Sequence, residues 1–339
     1  MKNKKKKISN ETYCHKFSVA PMLNYTNKHC RHFYRKLTKK SLLYTEMIVA
    51  NGPFEKIKKK IIYNSKPENP ISIQLAGRIP KKIAKCAKLA YLKGYNEINL
   101  NIGCPSKKVN KSHFGISLMN ETNTVRSIIK AISEHVSIPI TIKTRIGINH
   151  QDSYNFLSNF IYEISKDNIC KTFIIHARKA LVFSLNTKKN FKIPKINYEF
   201  VYNLKKDFPN LMFIINGNIK SISSAKKHLK KTDGVMLGRA VYNNPSILKN
   251  VDNLIFNEFY KTSEEMSKII QSMYPYIEKE LLIGTSLYQI ARHFLNAFYG
   301  MKGSSFWKKY LCKNATKNNA DLNVLETGLE LMKNNYFSN

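Results

Sequence analysis

Residues 97–106 read EINLNIGCPS. Ile98, Leu100 and Ile102 form an alternating apolar run, the period of a strand, which ends in Gly103. Cys104 then stands beside Pro105, three residues after Asn101. A thiol placed where a buried strand gives way to a loop calls for an explanation, and the surrounding sequence supplies its frame. Seven more short, β-rich apolar segments flank this one: FSVAP (17–21), LLYTEM (42–47), ISIQLAG (71–77), PITIKTRIG (139–147), TFIIHAR (172–178), MFIINGNI (212–219) and GVMLGRAVY (234–242). Helical patterns lie between most of them: PKKIAKCAKLAYLKGY, which starts on a proline, then NTVRSIIKAISEHV, SYNFLSNFIYEI, YEFVYNLKKDF and SISSAKKHLKK. Eight strands alternating with helices predict an α/β fold, a (β/α)8 TIM barrel of about 250 residues. The competitor is a doubly wound open sheet, whose GxGxxG fingerprint after the first strand is missing here.

From residue 251 the strand signals stop. NLIFNEFY, EEMSKIIQSMYPYIEKEL, TSLYQIARHFLNAFYG, SSFWKKYL and LNVLETGLELM read as helices in which lysines and aromatics interleave. The expected organisation is a basic arm at 1–13, the barrel at 14–250 and a small helical domain at 251–339.

The 339 residues carry 57 Lys plus Arg against 22 Asp plus Glu, a formal charge of +35. Compositional bias toward Lys, Asn and Ile would enrich Glu as well, so the acid deficit points to a polyanionic partner, a nucleic acid. No apolar run approaches a membrane span, and no apolar region follows the basic N-terminus, so a cytoplasmic protein is expected. The six cysteines are scattered with no CxxC pair, which favours reduced thiols over a disulfide framework and gives no zinc spacing; no metal is expected.

A barrel of this kind puts its site at the C-terminal ends of the strands. There stand Ala20-Pro21-Met22, Thr45-Glu46-Met47, Gln74, then Asn99, Asn101 and Cys104, then Lys143 with Arg145, His176 with Arg178, Asn216-Gly217-Asn218, and Gly238-Arg239. A lone His or Gln on a strand is usually a hydrogen-bonded core residue. Lys143 in an apolar strand is harder to dismiss, because a buried ammonium needs a partner. The set as a whole converges on one pocket. The glycine turns after strands seven and eight suit a phosphate, since backbone N–H groups can approach an anion there. Flavin mononucleotide, FMN, is the economical cofactor, with Lys143 placed to stabilise anionic charge on the reduced ring. Cys104 is open to three roles: small core hydrophobe, nucleophile or proton donor. Cys86, on a helical face, reads as core. For Cys104 the strand-end setting favours chemistry, and a thiol of pKa about 8.5 is protonated at neutral pH and can act as an acid. Lys143 or Arg145 nearby would lower that value.

The segments FSVAPMLNYTNKHCRHFYR, LLYTEM, GYNEINLNIGCPS, PITIKTRIGI, FIIHARKA, INGNIKS and DGVMLGRAVYNNP together resemble the tRNA-dihydrouridine synthases. The resemblance is closest to the branch acting on uridines 20 and 20a of the D-loop. It implies a bound FMN reduced by NADPH, hydride transfer to C6 of a flipped-out uracil, and protonation of C5 by Cys104. It carries FMN contacts onto Pro21, Met22, Gln74, Lys143, His176, Asn216, Gly217, Asn218, Gly238 and Arg239. Asn101 would contact the uracil, Arg145 and Arg178 would lie near the RNA, and Arg292 would touch tRNA from the helical domain. A monomer is expected. Two departures stand out: Asn24-Tyr25 where the family commonly has Asp-Trp, and Asn218 where glycine is frequent. Two rival readings remain: a small-molecule flavoenzyme on the same barrel, which leaves the charge unexplained, and a degenerate barrel that only binds RNA, which leaves Cys104, Lys143 and His176 unexplained.

Overall fold

A computed structural model describes residues 14–63, 68–106, 109, 112–182, 189–258 and 265–337. The expected basic arm, residues 1–13, lies outside the described residues. Nine strands form one parallel sheet: β1 (Phe17–Val19), β2 (Leu42–Tyr44), β3 (Ile48–Val49), β4 (Ile71–Ala76), β5 (Glu97–Asn101), β6 (Ile140–Arg145), β7 (Thr172–His176), β8 (Met212–Asn216) and β9 (Gly234–Leu237). The sheet closes, because β1 pairs with both β2 and β9 and β2 pairs with β4. The second barrel position is one strand in two pieces, with Leu43 opposite Ile71 in β2 and Ile48 opposite Leu75 in β3. Between the pieces the Thr45 hydroxyl accepts from the Gln74 amide at 3.1 Å, so a side chain bridges the gap in the ladder. The eight expected strands are all present, in a closed (β/α)8 TIM barrel of the α/β class.

Helices wrap the barrel, and their ends follow from local chemistry. Pro80 opens Pro80–Leu92, where it gives up no hydrogen bond, and Cys86 is buried on its inner face as expected. Ser153 and Ser221 cap Tyr154–Ser165 and Ile222–Leu229 by accepting from Phe156 N and Ser224 N. The main core lies between helices and sheet. A second, smaller cluster of Ala20, Leu42, Tyr44, Ile174, Ile214 and Met236 comes from β7, β8, β9, β1 and β2. It fills one half of the barrel interior; full burial of such side chains stabilises by about 1.5–3 kcal/mol each.

Beyond Leu237 every regular element among the described residues is helical. Two long patterns are broken. EEMSKIIQSMYPYIEKEL splits into Met266–Gln271 and Tyr274–Leu282, because Pro275 has no N–H to continue a helix through it. TSLYQIARHFLNAFYG is regular only over Leu287–Ala291, and the following residues form successive turns. There the Trp307 indole donates to the carbonyl of Phe294 at 2.9 Å, and the Asn296 amide donates to Tyr242 O at 3.1 Å. This part is fastened to the helix Lys28–Leu37. Lys28 and Glu280, both buried, pair at 2.6 Å, and Asp252 accepts from the Thr38 hydroxyl and the Lys39 amide. Among the described residues no helix is long and apolar enough to cross a membrane.

Candidate active site

The strand-end residues meet at the carboxyl end of the barrel. Asn101, half-buried at the end of β5, is the junction. Its Oδ1 accepts from the backbone amides of Gly103 at 3.1 Å and Cys104 at 2.9 Å, and its Nδ2 donates to Gln74 Oε1 at 2.9 Å. The chain therefore turns at Cys104 under the control of the residue three places earlier. Gly115, at φ 68, closes over the same turn: a Cβ there would meet the Cys104 carbonyl at 3.0 Å. Cys104 is half-buried, whereas Cys30, Cys86 and Cys170 are fully buried and Cys14 and Cys312 are exposed. Cys104 is thus no closed-core cysteine.

One expectation is corrected here. Lys143 and Arg145 do act to lower the Cys104 pKa, as does a hydrogen bond from Ser106. Desolvation outweighs them, and the thiol is pushed up from its ordinary value. The group is held protonated at neutral pH.

Lys143 donates from Nζ to Asn216 Oδ1 at 3.1 Å, and Asn216 donates from Nδ2 to Met236 O at 2.7 Å. Burial, then Arg145, lowers the Lys143 pKa to about 7, with Cys104 opposing. Burial also drives His176 well below its ordinary value, reinforced by Arg145, Lys143, Arg178 and Arg239, so its imidazole is neutral. Four cations acting on one buried ring mark a site built for negative charge.

The turn after β8 is left-handed, with Gly217 at φ 123 and Asn218 at φ 53. Asparagine is the side chain that best tolerates this conformation after glycine, which accounts for Asn218 in a glycine's place. A Cβ on Gly217 would lie 3.4 Å from the His176 ring, and one on Gly238 would lie 3.4 Å from Met22 Sδ. Each would narrow the cradle between strand ends. These bare backbones, the cations and the neutral imidazole fit a phosphorylated flavin. Pro21 and Met22, both half-buried, follow β1 at the same rim.

Three expected RNA contacts have other partners as well. Arg145 is 2% exposed and donates to the carbonyls of Gly103 (3.0 Å), Lys179 (3.1 Å) and Asn190 (3.3 Å), so it braces the Cys104 turn from inside. Arg178 donates to the carbonyls of Lys192 and Pro194. Arg292 reaches across to the carbonyl of Asn24, bringing the C-terminal helices to the rim of the barrel. Beside it Tyr25 packs edge-on against Tyr242, with ring centroids 4.4 Å apart. Sequence reasoning missed Tyr198, whose hydroxyl donates to Gly217 O at 2.7 Å and fixes the glycine turn. It also missed Glu97, His15 and Thr141, which have no signature without the register of β4, β5 and β6.

A neutral imidazole ringed by cations and a protonated thiol at the same end of the barrel suit an oxidoreductase with a bound flavin. The comparisons narrow that class. The family model for dihydrouridine synthase (Dus) matches residues 18–334. The tRNA-dihydrouridine(20/20a) synthase of Escherichia coli strain K12 is 49% identical over 317 residues, covering 94% of this chain and 91% of that one. The synthase of the same name from Yersinia pestis is 46% identical over 322 residues, covering 95% and 93%. The chain belongs to the dihydrouridine synthase family: it is a flavin-dependent, tRNA-modifying oxidoreductase that reduces uridine to dihydrouridine. Among solved structures, a 2-naphthoyl-CoA reductase in complex with 2-naphthoyl-CoA superposes with a TM-score of 0.54 at 9% identity. It covers 71% of this chain and 51% of that one, and that likeness concerns the fold.

Proposed function

We propose that the chain reduces the C5–C6 double bond of uridines 20 and 20a in the tRNA D-loop, with FMN as resident cofactor and NADPH as reductant. The relatives are named for those positions, and 49% identity over 94% of this chain supports the transfer. The observation that carries the reading is the junction at Asn101, where one amide holds the backbone of a protonated, half-buried thiol and also joins Gln74.

Gln74, Lys143, His176 and the rim residues Pro21 and Met22 would hold the flavin ring. Asn216, Gly217, Asn218, Gly238 and Arg239 would hold its phosphate end. A flavin held by these residues would supply hydride chemistry toward C6 of the uracil. Hydride addition leaves enolate character that needs a proton at C5. Cys104 delivers it from Sγ, and its raised pKa keeps that proton in place until then. Asn101 orients the base, and Arg145 holds the Cys104 turn through the Gly103 carbonyl. Lys143 offsets negative charge on the reduced ring. The base must leave its stack to reach the mouth. The helices after residue 251, with Arg292 at the rim, grip the tRNA together with Arg178, and the lysine-rich surface supplies phosphate neutralisation. A monomer acting on cytoplasmic tRNA is part of this proposal.

The test is tRNA mapping. Expressed in a strain lacking these enzymes, the protein restores a gain of two hydrogens at uridines 20 and 20a, read by mass spectrometry of tRNA digests. Dihydrouridine at other positions alone overturns the positional reading. A purified protein without a flavin spectrum overturns the cofactor.

A further inference from the structure

The interior of the barrel between β4 and β6 is polar from one end to the other. Glu97 opens β5 and is fully buried. Its carboxylate is met by His15 Nε2 at 3.0 Å, Tyr44 OH at 2.9 Å, Ser72 Oγ at 2.8 Å and Thr141 Oγ1 at 2.8 Å. Above it Asn99 donates from Nδ2 to Thr141 Oγ1 at 2.8 Å, and Gln74 donates from Nε2 to Asn99 Oδ1 at 2.8 Å. Asn101 donates to Gln74 Oε1 and accepts from the Cys104 amide. The ladder climbs from Glu97 to Asn101, about 13 Å along the strand.

Its direction follows from its foot. An ionised carboxylate only accepts. Burial alone would raise the Glu97 pKa, but His15 and the hydroxyls of Ser72 and Thr141 reverse that and bring it below the ordinary value, so the group is ionised. The Thr141 hydroxyl must spend its single proton on Glu97, so its oxygen accepts from Asn99 Nδ2. That fixes Asn99 Oδ1 toward Gln74, Gln74 Oε1 toward Asn101, and Asn101 Oδ1 toward the Cys104 turn. Each amide is held in one of two nearly isosteric orientations from both ends: by the Glu97 carboxylate, which only accepts, and by the backbone amides of Gly103 and Cys104, which only donate. Gln74 and Asn101 each retain a second N–H, which makes them donors to a ligand carbonyl.

We infer that Glu97 is a positioning residue for uridine reduction: through Thr141, Asn99 and Gln74 it sets the direction of the ladder, so that Asn101 both orients its ligand as a donor and holds the Cys104 backbone. The inference rests on the reading of the mouth as the flavin and uracil site.

The test uses the flavin-loaded protein and two variants. Glu97→Gln gives the foot of the ladder a donor, so the amides above it can reverse. Thr141→Val keeps the shape and removes the relay. Both are expected to lower kcat by on the order of tenfold or more while the KM for tRNA stays within about twofold, and to shift the visible absorption band of the bound flavin. Thr141→Ser, which keeps the hydroxyl, is expected to retain wild-type kcat and spectrum. If Glu97→Gln fails to fold, Thr141→Val and Thr141→Ser decide alone. A lower melting temperature with unchanged kcat and spectrum assigns the ladder to stability and overturns the inference. A wild-type protein with no flavin spectrum overturns instead the reading beneath it.

Discussion

The two halves of the barrel interior are built on opposite principles. From β7 round to β2 the contacts are apolar: Ile174, Ile214, Met236, Ala20, Leu42 and the ring of Tyr44. From β4 to β6 they are hydrogen bonds among Ser72, Gln74, Glu97, Asn99, Asn101 and Thr141. Burial of hydrocarbon is non-directional and scales with area, so the first half contributes stability with no preferred orientation. A buried hydrogen bond adds only about 0.5–1.5 kcal/mol net, yet leaving one partner unmet costs about 1–3 kcal/mol. The second half therefore contributes less stability for its volume and more definition. One side of this barrel holds the molecule together and the other aims the groups at its mouth. Cys104 sits at the end of the aimed half.

The largest expected effect separates chemistry from both. Cys104→Ala removes the acid and is expected to lower turnover about 10²- to 10⁴-fold while flavin absorbance and tRNA affinity remain at wild-type levels. Wild-type turnover would detach the polar half from catalysis. Next, Ile214→Ala opens a cavity in the apolar half and is expected to cost about 2–5 kcal/mol in urea unfolding, with kcat per folded molecule within a few-fold of wild type. A fall in kcat with stability intact would break the division of labour between the halves.

Much of this was legible in the sequence. Alternation of eight apolar segments with helical patterns is a local signal, so the closed barrel follows from it. The strand-end residues follow too, because the fold dictates which end of each strand carries the site: Asn101, Cys104, Lys143 and His176 need no partner to be noticed. The ladder was illegible for the opposite reason. Glu97, Asn99 and Asn101 share a face of β5, but their partners depend on Gln74 standing opposite Asn99 and Lys143 opposite Asn101. Register is a tertiary property. His15 reaches Glu97 from the chain ahead of β1, which no spacing rule connects to residue 97. The loss of regular helix after Ala291 escaped for a similar reason, since the carbonyl of Phe294 is engaged by Trp307 thirteen residues later, whereas the break at Pro275 is a local signal.

The smallest effect concerns Lys143, where the two halves join: its strand β6 belongs to the polar side, and its partner Asn216 is anchored to the Met236 carbonyl on the apolar side. Its pKa falls from 10.5 in a free side chain to about 7 in the folded protein. Between those values the unfolded chain binds more protons at this site than the folded one. Stability therefore rises with pH across that window, and below about pH 7, where both states are protonated, this contribution is flat. The Cys104 thiol works the other way, because a raised pKa costs stability once the unfolded thiol ionises, near 9.0. The comparison is therefore confined to lower pH. The urea midpoint of the flavin-free protein is expected to climb between about pH 7 and 8.5 more steeply in wild type than in Lys143→Met, which lacks the titrating group. Equal slopes would mean that the ammonium keeps its solvent at the barrel mouth, and the boundary between the two halves would then lie below Lys143, with the mouth wetter than its packing implies.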